Sequence, residues 1–196
     1  MKKPLTRKEE LALTRERILK VSEQLFMQKG YRAVTTREIA AKCNITQPAL
    51  YYHFPDKQSL YIAMLEVFVT NIRLKIENIS KETISERLEA MLEVLSNEHP
   101  TSIMMMIHDI AVEFKEENRR YIFSLWKQTY LEPFINIFEE LKEEGMLRDT
   151  ITSEEAARFC LLTMGQTMST WKSKPKSLAG QYTVLVDLIL HGTKKP

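Results

Sequence analysis

The sequence predicts an all-α fold of about nine helices, arranged as a small three-helix unit over residues 1–55 and a larger helical domain over 56–196. Three observations carry this expectation. Only 5 Gly and 7 Pro occur in 196 residues, too few to turn an all-β chain. Apolar residues recur at the 3.6-residue period in segment after segment, each opened by a capping residue. Nowhere do polar and apolar residues alternate with the period of a strand, and there is no internal repeat or low-complexity linker.

Each element follows from its own residues. Ile18, Leu25 and Phe26 form one stripe of a helix over 14–29, and Gly30, which tolerates the left-handed conformation, lies just past its end. Thr35 and Glu38 have capping-box spacing and start a second helix, which Asn44 ends. Thr46 caps a third, with Pro48 in its first turn, where a missing N–H leaves no hydrogen bond unmade. A fourth runs from about 56 to 79, with Leu60, Ala63, Met64, Val67 and Phe68 on one face. Thr83 and Glu86 open a fifth that ends near 97, before His99-Pro100. The sixth, methionine-rich, spans about 101–115, and a long seventh spans 118–144 and is closed by Gly145. Thr152 and Glu155 cap an eighth over 153–173, and Lys174-Pro175 separates it from a ninth over 177–191.

Composition narrows the class. Residues 1–57 carry 12 Lys/Arg against 6 Asp/Glu, a net +6, and the remainder carries 16 against 20, a net −4. A basic first quarter joined to an acidic remainder points to a polyanionic partner for the first part, the plainer alternative being charges clustered on a solvated face. No apolar run approaches the roughly 18 residues of a membrane span. The N-terminus lacks a signal-peptide core, so a cytoplasmic location without membrane attachment is expected. Cys43 and Cys160 stand far apart in helical patterns, so no disulfide framework is expected, and Cys43 reads as a packing residue with a redox sensor as the alternative. The basic N-terminal residues Lys2, Lys3, Arg7 and Lys8 read either as a disordered tail or as phosphate contacts.

The stretch 35–54 is the most informative. Ile39, Ala40 and Cys43 share one face of the second helix, Leu50 and Phe54 one face of the third, with Ile45 in the turn between them. Arg37, Gln47, Tyr51, Tyr52 and His53 occupy the opposite faces. A short helix with a polar N-terminal end behind a tight turn is the arrangement of a DNA-reading helix-turn-helix. Gln pairs in two-bond geometry with adenine and Arg with guanine in the major groove. Tyrosine hydroxyls, His53 and Lys57 suit phosphates, which fix register without reading sequence. Tyr51 reads alternatively as a core aromatic with its hydroxyl at the rim.

From Gly30 through Thr35-Thr36, Ile39-Ala40, Ile45-Thr46, Leu50-Tyr51, His53-Phe54, Lys57 and Leu60, the sequence resembles the N-terminal domain of the TetR family of bacterial transcriptional regulators. The resemblance covers roughly the first third of the chain and is strongest over 14–65. It departs at Cys43 and Asn44, where a small residue and a Gly are usual. The resemblance implies base contacts from Arg37 and Gln47, thymine-methyl packing by Pro48 and Tyr51, and backbone contacts from Thr36, Thr46, Tyr52, His53 and Lys57.

The eighth and ninth helices are apolar around most of their circumference, which requires burial on more than one side. A homodimer through 153–173 and 177–191 satisfies that requirement, with Gly165 allowing close helix approach; a monomeric core is the alternative. Met104, Met105, Phe123, Trp126, Tyr130, Phe134, Met164 and Met168, with His108 as a polar group, are candidates for an effector pocket or for plain core. Asp109, Glu113 and Gln128 are further polar candidates. No metal site or cofactor is expected, and no nucleophile elbow, phosphate-binding loop or metal-ligand motif supports an enzyme. The chain reads as a homodimeric regulator that represses from a palindromic double-stranded DNA operator until a small hydrophobic effector releases it. An activator, or a ligand-independent DNA-binding adaptor of the same fold, is the alternative.

Overall fold

The computed structural model describes residues 6–98, 103–170 and 181–195, with the side chains at 103–105, 107, 166–170 and 181 outside the description. Among these residues the elements are α1 (Arg7–Ala33), α2 (Thr36–Lys42), α3 (Gln47–His53), α4 (Lys57–Glu77), α5 (Ile84–Glu98), α6 (Ile103–Glu113), α7 (Glu116–Trp126), a π-helical turn (Lys127–Leu131), α8 (Glu132–Glu143), α9 (Ser153–Thr170) and α10 (Gln181–Thr193). Because α7, the π turn and α8 are continuous, the described helical rods number nine, as expected. Leu147 and Lys194 add one isolated antiparallel bridge.

Two departures have local causes. The first helix begins at Arg7, not near residue 14, because Thr6 and Glu9 form a complete capping box: Thr6 Oγ1 accepts from the Glu9 amide at 3.3 Å and Glu9 Oε2 accepts from the Thr6 amide at 2.7 Å. Arg7 and Lys8 are therefore helical, whereas Lys2 and Lys3 lie outside the described residues. Gly30, at φ 80 and ψ 167, ends the regular helix where expected, and α1 continues past it as a short second piece. The long seventh helix is interrupted at Lys127–Leu131. Pro133 offers no N–H, and its ring would strike the carbonyl four residues back; the wider π turn ahead of it, with the Glu132 amide bonded to the Lys127 carbonyl, absorbs the misfit. The expected ends at 173 and 177 lie outside the described residues.

The chain divides into two compact units, residues 1–69 with 99–123 and residues 70–98 with 124–196. Leu60, Tyr61, Met64, Leu65 and Phe68 of α4 are buried and belong to the first unit. The first unit is centred on Ile18, Leu25, Phe26, Val34, Ile39, Ala40, Cys43, Leu50 and Phe54, all buried. In the second, Leu88, Leu92 and Leu95 of α5, Phe134, Phe138 and Leu141 of α8, Ala157 and Cys160 of α9 and Val186 of α10 are at most 1% exposed.

Candidate nucleic-acid interface

The interface is built around the turn between α2 and α3. The Thr35 side chain accepts from the Glu38 amide at 3.1 Å and so starts α2, while Glu38 gives its carboxylate to Lys29 at 2.6 Å. At the other end Asn44 adopts φ 52, and the amides of Asn44 and Ile45 return to the carbonyls of Ala41 and Ala40 at 3.1 and 3.0 Å. This is the paired hydrogen bonding of a Schellman stop, with Asn in the place Gly usually takes. The chain leaves that turn already reversed. Thr46 accepts from the Ala49 amide at 3.3 Å, Pro48 fills the first turn, and α3 begins. Leu50 and Phe54 anchor its underside, while Ile45 in the turn is half-buried.

Its outer face carries the residues picked out by pattern. Arg37, Pro48, Tyr51 and Tyr52 are exposed, Tyr52 at 71%. Gln47 is half-buried, and its Nε2 donates to Thr36 Oγ1 at 3.0 Å and, more weakly, to Tyr51 OH at 3.4 Å. Thr36 Oγ1 and Tyr51 OH are themselves 3.0 Å apart. The three side chains thus form a polar cluster that ties the start of α2 to the face of α3. Hydrogen bonds from Thr36 and then Gln47 lower the Tyr51 phenol pKa. Gln47 is held with its amide oriented, which lowers the entropy it loses on pairing with a base edge. Tyr51 is 42% exposed with its hydroxyl engaged, which favours neither a plain core role nor a free hydroxyl.

Four of the expected backbone contacts have a different character from the one their residue types suggest. Thr36 is 8% exposed and its hydroxyl is shared with Gln47 and Tyr51. His53 is half-buried, and burial first, then the neighbouring Arg15, push its imidazole below its ordinary pKa. The shift disfavours the charged imidazole and leaves a ring able to donate a hydrogen bond. The Lys57 ammonium lies 4.1 Å from the centre of the Tyr31 ring, a cation–π seat that also lowers its pKa through burial. Thr46 is exposed with its hydroxyl committed to the cap.

The expected effector residues are dispersed. His108 and Phe123 are exposed, Phe123 at 56%, because their neighbours Asp109 and Ile122 take the buried sides of α6 and α7. In the second unit Tyr130, Phe134 and Met164 are buried, and half-buried Trp126 stacks on Tyr130 at 6.2 Å. The side chains of Met104, Met105 and Met168 lie outside the described residues. Of the other polar candidates, Asp109 accepts the Tyr31 amide at 2.6 Å, Glu113 pairs with Arg32 at 2.9 Å, and Gln128 is exposed. Pattern reading missed Arg15, whose guanidinium lies over the Phe54 ring at 4.2 Å and reaches the His53 carbonyl at 3.4 Å. The contact links residues 38 apart, and no local signal in the sequence announces it.

An exposed, polar α3 seated on a buried apolar underside, delivered by a tight turn from α2, defines a helix-turn-helix DNA-binding protein. Residues 18–64 match the bacterial regulatory proteins of the tetR family. Over 197 aligned residues the chain is 26% identical to the HTH-type transcriptional repressor BepR of Brucella suis, covering 95% of this chain and 90% of that one. A TetR-family regulator of known structure from Agrobacterium tumefaciens superposes with a TM-score of 0.74 at 17% identity, over 94% of this chain and all of that one. AibR, solved with isovaleryl coenzyme A and operator DNA, superposes with a TM-score of 0.65 at 21% identity, over 91% and 97% of the two chains. Residues 18–64 carry the DNA-binding domain of the TetR family, and over most of its length the chain is similar to DNA-binding transcriptional regulators of that family.

Proposed function

We propose that this regulator is a homodimeric repressor that sits on a palindromic operator and leaves it when a small hydrophobic effector binds. The observation that carries the reading is the exposed face of α3, with Gln47 pre-oriented beside Tyr51 and Arg37 open to solvent. Residues 1–55 supply the DNA-binding function and 56–196 effector binding and dimerisation, in the cytoplasm. Arg37 and Gln47 read base edges, Pro48 and Tyr51 pack on thymine methyls, and Thr46, Tyr52, His53 and Lys57 hold the backbone, with Lys57 leaving the Tyr31 ring to do so.

The partner for α9 and α10 is a second copy. Phe159 and Leu162 on α9 and Val184 and Leu188 on α10 are 52%, 69%, 61% and 65% exposed, an apolar set that single-chain packing leaves uncovered. Among the described residues nothing lies within 4 Å of where a side chain at Gly165 would begin. Two copies of α3 read a palindrome where one reads too few bases for useful specificity. Trp126, Tyr130, Phe134 and Met164 line the effector site, at the π turn that sets Tyr130 inward. Support comes from the repressor name of BepR and from the effector and operator bound to AibR. Release follows from differential affinity alone: an effector that binds better to the arrangement with misaligned reading helices lowers operator affinity by that difference.

The test is a footprint on DNA flanking the protein's own gene, followed by titration of Arg37→Ala and Gln47→Ala on that site and on single-base variants. Each substitution is expected to cost about 1–3 kcal/mol and to relax preference at one base pair. Equal affinity of the wild-type protein for every sequence would remove the reading.

A further inference from the structure

We infer that Arg15, on α1, is a further phosphate-binding residue at the C-terminal end of the reading helix. The inference rests on the reading of α3 as the groove-entering element.

Arg15 is exposed, and its guanidinium is held by two contacts to the end of α3: the His53 carbonyl, 3.4 Å from Nη1, and the face of Phe54, 4.2 Å from Cζ. Both contacts fix the position without consuming the group. A guanidinium has five N–H donors in a planar fork, and a single hydrogen bond near the outer limit of length occupies one of them. The stack on Phe54 uses the flat face and leaves the edge open, the edge that matches two phosphate oxygens.

Charge at this end of α3 gives the position its meaning. Burial first, and then Arg15 itself, push the His53 imidazole below its ordinary pKa, which disfavours its charged form, and the Lys57 ammonium rests on the Tyr31 ring. Of the residues nearest the end of α3 in sequence, Lys57 therefore brings its charge to DNA only by leaving that ring. Arg15 brings a permanent cation to that end from a helix elsewhere in the sequence. Its position is fixed before DNA arrives, so little side-chain freedom is lost on contact. The capping box at Thr6 and Glu9 extends α1 two turns beyond Arg15, which makes the residue part of a regular helix and not of a loose arm.

A purely structural role is the competitor: Arg15 covers Phe54 and bonds the last carbonyl of α3. The salt dependence of binding separates the two, because a structural role does not move the number of counterions released. Full-length wild type, Arg15→Gln, Arg15→Met and Arg15→Lys are titrated on the footprinted operator fragment and on a scrambled fragment over a series of KCl concentrations. Arg15→Met keeps an apolar stem over Phe54 and serves if the glutamine variant is poorly folded. The neutral variants are expected to make the slope of log K against log salt shallower by about 0.9 per protomer, with similar losses on both fragments, and Arg15→Lys to keep the wild-type slope. A neutral variant that retains the full slope, whatever its affinity or melting temperature, overturns the inference and leaves the reading of α3 intact. Wild-type protein that does not distinguish the two fragments overturns that reading and this inference with it.

Discussion

Asp109 is where a single substitution should be most revealing. It is 4% exposed, and its Oδ2 accepts the main-chain N–H of Tyr31 at 2.6 Å. That amide needs an outside partner because of the residue before it. Gly30, at φ 80 and ψ 167, tilts the following peptide out of the helical ladder of α1. The surroundings are buried and aromatic: Tyr31, Tyr61 and Phe114 have ring centres 4.8 to 5.3 Å apart, and burial pushes the Tyr31 phenol up to about 12. Asp109→Ala removes a charge-assisted hydrogen bond and leaves a buried N–H without a partner, each effect about 1–3 kcal/mol, offset in part because the carboxylate no longer has to be desolvated. The expected net loss is about 2 kcal/mol. Asp109→Asn keeps an acceptor oxygen in place and is expected to cost about half as much. Hydrogen exchange reads the effect at the site. If the Tyr31 amide exchanges through opening of the first unit, a loss of about 2 kcal/mol speeds it roughly 30-fold in the alanine variant, at a tenfold change per 1.4 kcal/mol. Denaturant unfolding gives the global value. Unchanged Tyr31 protection and an unchanged midpoint in Asp109→Ala would refute the argument. Equal losses in the alanine and asparagine variants would show that the charge, not the acceptor, was what mattered.

Other expectations are simpler to check. Gly30→Ala places a side chain in a backbone region that essentially only Gly occupies, and should lower stability by about 1–3 kcal/mol in urea unfolding, more than Ala at an ordinary helical site. His53 holds its proton less tightly in the folded state than the unfolded imidazole, whose ordinary value is 6.5. The unfolded chain therefore takes up the proton first as pH falls, so stability is fully present above that value and is lost toward the lower folded pKa. Relative to wild type, His53→Gln should flatten this limb in melts recorded between neutral and mildly acidic pH. The double variant Leu162→Glu, Leu188→Glu puts charge on the apolar face of α9 and α10 and should yield monomers by light scattering, with loss of tight palindrome binding. A dimer that persists would mean that the interface lies elsewhere.

Local physics determined much of this protein. Capping residues such as Thr35, Thr46, Thr83 and Thr152, the left-handed stop at Asn44 and the apolar spacing of Ile39, Ala40, Cys43, Leu50 and Phe54 are all short-range in sequence. That is why the helical rods, the helix-turn-helix and its resemblance to the TetR family were legible without coordinates. The Thr6 and Glu9 box was equally legible in principle, and it makes Arg7 part of a helix where a tail was one reading. What only the tertiary structure decided is which polar side chains remain available. The Thr36 hydroxyl is taken by Gln47 and Tyr51, the Lys57 ammonium by the Tyr31 ring, and the Asp109 carboxylate by a main-chain amide 78 residues away. The same packing brings Arg15 to the end of α3 and turns His108 and Phe123 outward. Periodicity assigns a residue to a face. Whether that face is covered, and by which group, depends on contacts distant in sequence, whose energies no local pattern encodes.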